Sequence, residues 1–260
     1  MIKIGIVGCM GRMGKTLVET IVSHPKCTLV AGSETEGSHW VGQEIGETGK
    51  LVLADAKTLF ELADVVIDFT VPVATCLHAD IAADTNTPLI IGTTGINAQG
   101  HAHLDICARS TVILQSGNMS LGVNLLSALT KQVSARLGTD WDIEILEMHH
   151  RHKVDAPSGT ALMLGEAAAD GREVKLDDVA CKSRDGITGE REQGEIGFAS
   201  LRGGSVIGEH SVIFASESER ITLSHHAENR TLFSDGAIAA ALWAVGKANG
   251  RYSMQDVLGL

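Results

Sequence analysis

The sequence predicts an α/β protein: a Rossmann-type doubly wound parallel sheet followed by a second, α+β domain with a mixed or antiparallel sheet. Three observations carry that prediction. Short apolar runs of strand length recur through the first 120 residues with helix-length stretches between them, the rhythm of βαβ units. The glycine-rich segment GCMGRMG, Gly8 to Gly14, follows the first of these runs and opens a helical stretch. After Asn118 the texture changes to strand-like runs without long intervening helices, which suits an antiparallel or mixed sheet.

The strands are read at Ile2–Val7, Thr28–Ala31, Asp64–Phe69, Leu89–Ile91 and Val112–Leu114, because each is an unbroken apolar run of the kind buried on both faces of a parallel sheet. Lys15–Ser23, Val73–Asp84 and Asn97–Arg109 are long enough for crossover helices. In the second half a helix is expected over Leu121–Leu137 and a strand over Asp142–Met148. Further strands are read near Ile196–Leu201, Val206–Ala215 and Arg220–His225, with an alanine-rich helix over Phe233–Ala248. The polar, glycine-rich stretch from Arg172 to Gly194 reads as a long loop.

Composition narrows the function classes. With 44% hydrophobic and 20% charged residues in 260, the chain can bury a sizeable core and is not a disordered segment. A net charge of −11 argues against a general nucleic-acid binder, which needs a basic face. The five cysteines, Cys9, Cys27, Cys76, Cys107 and Cys181, form no CxxC pair and fit reduced thiols better than a disulfide framework. MIKIGIVG enters a strand with no basic region or cleavage signal, and no later run has the length of a membrane span. A soluble, cytoplasmic protein without a membrane partner is expected.

The segment GCMGRMG has the form GxxGxxG, with Met10 where a middle glycine usually falls. Gly8 permits a tight turn after the strand, Gly11 lets backbone N–H groups approach a pyrophosphate, and Gly14 permits close helix packing. The helix N-terminus then faces the phosphates. Glu34, 20 residues beyond Gly14, stands where an acidic side chain accepts hydrogen bonds from the adenosine ribose; a solvated loop carboxylate is the alternative. Thr35 offers no cation for a 2′-phosphate, and Glu34 and Glu36 repel one, so NADH is favoured. Arg12 is the counterweight that leaves NADPH in play.

The second motif is EMHHRHKVDAPSGTA, in which His149, His150, His152 and Lys153 fall within five positions. A metal centre is disfavoured, because Arg151 and Lys153 repel a cation and no cysteine accompanies the histidines; no metal site is assigned. A solvated polar turn remains one reading. The other is an anion pocket with proton donors, Lys153 as a compact charge and imidazole as a group that titrates near neutral pH. Ser158 reads as an N-cap, after which Gly159 and Thr160 offer N–H groups to a carboxylate at the positive end of a helix.

Taken together, these two motifs resemble the paired signatures of the dihydrodipicolinate reductase family. Further matches are IDFT at Ile67 to Thr70, IGTTG at Ile91 to Gly95, NMSLGVN at Asn118 to Asn124, SRDGITGER at Ser183 to Arg191 and GEHSVIFA at Gly208 to Ala215. The resemblance spans almost the whole chain. It implies reduction of 4-hydroxy-tetrahydrodipicolinate to tetrahydrodipicolinate, with loss of water, by hydride from NADH or NADPH in lysine biosynthesis through diaminopimelate. It implies His149 and Lys153 as catalytic groups and a dicarboxylate held by His150, Ser158, Gly159, Thr160 and Arg230. Cofactor contacts are implied for Gly8, Cys9, Met10, Gly11, Arg12 and Met13, for Glu34, for Gly92, Thr93 and Thr94, and for Ser116, Gly117, Asn118 and Met119.

The resemblance also implies a dinucleotide-binding domain of residues 1–120 plus 230–260, a substrate-binding and oligomerisation domain of residues 121–229, and a homotetramer. Two positions depart from the family pattern. Thr35 stands where members that use both cofactors have arginine, and Gly117 stands where alanine often precedes the asparagine. Two other readings remain: an amino-acid dehydrogenase acting on aspartate or diaminopimelate, and a catalytically idle dinucleotide sensor.

Overall fold

The computed structural model describes residues 1–260, which divide into two compact units, Met1–Leu121 with Thr231–Leu260, and Gly122–Arg230. The first contains β1 (Ile2–Val7), α1 (Arg12–Ser23), β2 (Cys27–Ser33), β3 (Val52–Leu53), α2 (Ala56–Leu62), β4 (Val65–Asp68), α3 (Pro72–Thr85), β5 (Leu89–Ile91), α4 (Ala98–Cys107) and β6 (Val112–Gln115). The second contains α5 (Leu121–Arg136), β7 (Asp142–His149), α6 (Gly159–Gly171), α7 (Leu176–Val179), β8 (Ala180–Cys181), β9 (Ile196–Arg202), β10 (Glu209–Ala215) and β11 (Arg220–His226). The chain closes with α8 (Thr231–Ala244), β12 (Gly250–Tyr252) and α9 (Met254–Leu258), which belong to the first unit.

The first unit is built on a seven-stranded sheet in the order β12-β6-β5-β4-β1-β2-β3, with every pair parallel. Its strands are apolar throughout because both faces are covered. On one face Ile4, Ile6, Ile67 and Leu114 pack with Leu17 and Ile21 of α1 and Ala240 of α8. On the other, Val7, Val66, Leu89 and Ile113 pack with Phe60 of α2, Ala82 of α3 and Leu104 of α4. The chain leaves β1 toward β2 on one side and reaches β4 on the other, so the switch point lies between β1 and β4. Ligands of open α/β sheets bind at the carboxyl ends of the strands flanking such a point.

The short β3 and β12 and the helix α2 do not stand out in the apolar pattern of the sequence. Strands of two and three residues carry too few side chains to show a period, and they form because β2 and β6 supply edges to pair with.

The second unit has a five-stranded mixed sheet, order β11-β10-β7-β9-β8. The pairs β7/β9 and β8/β9 are parallel, and β10 runs antiparallel to β7 and β11. β7 alternates between half-buried and buried residues, the period of a strand with one face on a core. Its buried Ile143 and Ile145 pack with Val212 and Phe214 of β10, Phe198 of β9, Leu126 of α5 and Leu164 of α6. The stretch from Arg172 to Gly194 departs from the expected plain loop: it contains α7 and β8, held because Leu176 is buried in this core. No helix of the protein is long and apolar enough to cross a membrane, and all five cysteines are free thiols.

Candidate active site

In the first unit, five loops leave the carboxyl ends of the strands β1, β2, β4, β5 and β6. After β1, Gly8 adopts φ +68°, donates its N–H to Ser33 O at 2.8 Å, and accepts from Gly11 N at 3.1 Å. A Cβ on Gly14 would stand 2.3 Å from Gly8 O, so the first turn of α1 touches the loop backbone and only glycine fits. Gly11, at the N-cap of α1, provides no side-chain cap, which leaves first-turn N–H groups open to an anion. Cys9 is fully buried; burial and the nearby Glu34 push its thiol up to about 12, so it packs as a neutral thiol and faces any ligand only through its backbone.

Glu34, directly after β2, accepts the N–H of Met10 on Oε1 at 2.8 Å. One carboxylate oxygen therefore pins the glycine loop and the other remains for a ribose hydroxyl. Thr35, Glu36 and Arg12 are exposed beside it. After β4, Asp68 is buried without contact to water. Burial raises its carboxyl, but His78 (2.8 Å) and Thr70 (2.7 Å to N, 2.6 Å to Oγ1) outweigh it and hold the pKa below the ordinary range.

Asp68 O also accepts Gly92 N at 2.8 Å, and Thr93 Oγ1 donates to Asp68 Oδ1 at 3.3 Å. Gly92 lies against Phe69, whose ring a Cβ would meet at once, while Thr94 is exposed. After β6, Ser116 and Asn118 form a closed turn: Ser116 Oγ donates to Asn118 O at 2.7 Å and Asn118 Oδ1 accepts Ser120 N at 2.9 Å. Gly117 is exposed at its tip. Met119 is buried in the core and, like Cys9, offers only its backbone. These loops form a cradle of backbone N–H groups with one acidic side chain, which fits a dinucleotide.

Replacing Gly14 by alanine forces the helix off the loop. We expect a loss of about 1–3 kcal/mol of stability from overpacking, read as a lowered Tm, together with weaker binding of dinucleotide by fluorescence titration.

In the second unit the histidine segment begins at the end of β7. His149 is 8% exposed, and its Nδ1 meets Glu147 Oε2 at 2.5 Å. That bond uses Nδ1–H and leaves Nε2 for a ligand; Nε2 lies beside Gly208, where a Cβ would approach to 3.1 Å. Glu147 is 1% exposed and receives a bidentate pair from Arg202 at 2.9 and 2.8 Å, and its Oε1 also accepts Ser158 N at 3.2 Å. Burial alone would raise the Glu147 carboxyl, yet bonds from Arg202, Ser200 and His149 outweigh it and hold it at about 2.

His210 is opposite Glu147 in the β7/β10 register, and its ring meets His149 edge-on at 5.1 Å. Burial, then the neighbouring His149, lowers His210 to about 4, so it is neutral at physiological pH. Its Nε2 lies 3.1 Å from Ser158 Oγ. Ser158, expected beside the substrate, is 1% exposed, and its hydroxyl accepts Ala161 N at 3.1 Å and meets His210. It caps α6 and leaves exposed Gly159 and half-buried Thr160 at the helix N-terminus.

Lys153 Nζ pairs with Asp155 Oδ1 at 2.8 Å, and Lys153 N closes a turn on His150 O at 3.1 Å. Burial, then Arg230 and the neighbouring His149, His152 and Lys153, lowers the pKa of His150, whose Nδ1 is buried without a partner. Arg230 is exposed and close enough to act on it. Arg230, His149, His152 and Lys153 gather around His150, with Glu147 on His149 and Asp155 on Lys153 as the acids beside them, the electrostatics of an anion pocket.

Glu147, Arg202 and His210 do not emerge from the sequence reading. Glu147 had a signal, since two residues before His149 in a strand means the same face. His210 lies within the matched motif GEHSVIFA but carries no mark of its role there, and Arg202 had no signal, because both reach the site only through the pairing of β9 and β10 with β7.

Comparison with known proteins agrees with both units. A family model described as dihydrodipicolinate reductase, N-terminus, matches residues 2–119, and one described as dihydrodipicolinate reductase, C-terminus, matches residues 122–258. A protein of Parvibaculum lavamentivorans named 4-hydroxy-tetrahydrodipicolinate reductase is 53% identical over 100% of this chain and 98% of its own. One of the same name from Brucella abortus is 54% identical over 98% of each. The solved structure titled dipicolinate bound dihydrodipicolinate reductase from Paenisporosarcina sp. TG-14 superposes with a TM-score of 0.80 at 24% identity, covering 98% of each chain, and so shares the fold. With matched models covering nearly its whole length and relatives above half identity, the chain belongs to the dihydrodipicolinate reductase family.

Proposed function

We propose that His149 and Lys153 are the proton-transfer groups of this enzyme, and that His150, Arg230 and the N–H groups of Gly159 and Thr160 hold the carboxylates of its substrate. The reaction is the reduction of 4-hydroxy-tetrahydrodipicolinate to tetrahydrodipicolinate, in the diaminopimelate route to lysine. One hydride and one proton enter and one water leaves. A bound reduced pyridine nucleotide supplies the hydride.

The observation that carries the assignment is the bond from His149 Nδ1 to a carboxylate that Arg202 keeps ionised. It fixes the imidazole tautomer and directs Nε2 outward as the only nitrogen free to exchange a proton. His150, its pKa lowered by burial and the cations around it, donates to a carboxylate, while Lys153 and Arg230 supply the charge that matches a dianion. Ser158 and His210 brace the turn between them.

Gly8, Cys9, Met10, Gly11, Arg12, Met13, Glu34, Gly92, Thr93, Thr94, Ser116, Gly117, Asn118 and Met119 form the dinucleotide cradle of this reading. NADH is the preferred donor and NADPH the secondary one, since Glu34, Thr35 and Glu36 face the adenosine side with Arg12 as the single nearby cation of the loop. Thr35→Arg is expected to improve kcat/KM for NADPH about tenfold, the worth of one charge-assisted hydrogen bond of about 1.5 kcal/mol. Initial rates with the two cofactors check it.

Free thiols at all five cysteines support a cytoplasmic location. Leu201 of β9 and Ile221 of β11 are exposed on the five-stranded sheet, which supports burial of that sheet in a homotetramer. The reading as a whole is tested by supplying freshly made dihydrodipicolinate synthase product and following NADH and NADPH oxidation in parallel. Substrate-dependent oxidation, faster with NADH, is expected. No oxidation with that product, together with reduction of NAD+ or NADP+ by aspartate or diaminopimelate, would assign the chain to the amino-acid dehydrogenases instead.

A further inference from the structure

α3 packs against α4 in the first unit. Cys76 and Asp80 are four residues apart on α3, and His103 and Cys107 are four apart on α4, so each pair lies on one helical face. Asp80 Oδ1 is 2.8 Å from His103 Nε2. Cys107 Sγ lies 3.6 Å from Asp80 Oδ1 and 3.7 Å from His103 Nε2. None of these side chains belongs to the machinery described above.

We propose that Asp80, His103 and Cys107 bind a zinc ion that ties α3 to α4. Bond lengths at tetrahedral zinc place neighbouring sulfur, nitrogen and oxygen ligands about 3.4–3.8 Å apart, and both edges to Cys107 Sγ already have that length. The third edge is a hydrogen bond, and it opens by roughly 0.6 Å when both atoms turn their lone pairs to a metal. Thiolate with imidazole and carboxylate selects zinc over magnesium or calcium, which take oxygen ligands.

The surface ion pair of Asp80 with His103 would by itself contribute at most about 1 kcal/mol, and Cys107, 5% exposed at the edge of the core, brings its thiol within reach of both. An ion has a way in: a hollow of about 550 Å³ opens beside the cluster, lined by Pro72, Cys76, Asp80, Ile96 and His103. Cys76 lines the same hollow, and water entering from it completes the fourth position. Binding forms bonds from zinc to sulfur, nitrogen and oxygen: the Cys107 thiol proton goes to solvent, and the proton that His103 Nε2 shares with Asp80 leaves with it or moves to Nδ1, freeing the Nε2 lone pair.

The test uses the full chain stripped of metal and titrated with cobalt(II), then zinc. The proposal expects a thiolate-to-cobalt charge-transfer absorption with the intense visible bands of a tetrahedral site, saturating at one equivalent and bleached by zinc. Cys107→Ser should abolish the charge-transfer absorption. Asp80→Asn and His103→Gln, both at partly exposed positions where folding is not at risk, should weaken zinc at least tenfold in competition with a chromophoric chelator. Zinc should also raise the Tm of the unaltered protein and not that of His103→Gln. Cobalt held by the histidines of β7 and its following turn would show no thiolate absorption and no response to His103→Gln. That spectrum, or Asp80→Asn and His103→Gln titrating like the unaltered protein, would overturn the proposal.

Discussion

Lys153→Ala is expected to lower kcat by about 100-fold or more while the Kd for NADH changes less than about twofold. The size follows from the usual worth of a positioned proton donor, about 10²–10⁴ in rate. The split between kcat and cofactor affinity follows from placement, since Lys153 lies in the second unit and pairs only with exposed Asp155. His149→Ala is expected to lose turnover to a similar degree while substrate still protects the protein against thermal unfolding, because the carboxylate partners remain. Steady-state kinetics with equilibrium NADH titration separates the effects. Full activity of the His149 variant across the pH range would remove that residue from proton transfer.

Glu147→Gln is expected to cost about 3 kcal/mol of stability and about 100-fold in kcat. Removing one partner of a buried ion pair strands the other charge, here Arg202, whose partial exposure keeps the cost at the low end. The amide also presents its NH₂ to Arg202 or to His149 Nδ1, so one of them loses its acceptor, and an imidazole displaced by an ångström loses about 10²-fold. The pH dependence has a definite sign. The folded pKa of about 2 lies below the ordinary 4.5, so the carboxylate's contribution is complete above about pH 4.5 and is lost as pH falls toward 2. Acid titration of stability should show that slope in the unaltered protein and a shallower one in the variant.

Much of this was legible before any coordinates. The apolar runs Ile2–Val7 and Leu89–Ile91 are strands with the bounds read from the sequence, because strands covered on both faces must be apolar at every position. The glycine loop announced itself because a turn that touches a helix admits no Cβ at Gly14. His149, His150 and Lys153 were visible because cations crowded into one short segment are conspicuous in an acidic chain.

Other features depend on partners distant in sequence. Ser158 reads as a ligand or a cap, and its contact with His210, 52 residues away, leaves no trace in the local sequence. Arg202 is one arginine among many until the β7/β9 register sets it opposite His149.

The sequence by itself determined the fold class, the glycine-rich turn and the cationic segment, since these rest on local periodicity, glycine geometry and composition. Only the tertiary structure decided which carboxylate orients His149, which hydroxyl is occupied as a cap, and that Asp80, His103 and Cys107 converge. Strand register and helix pairing bring together residues whose sequence separation carries no signal of contact.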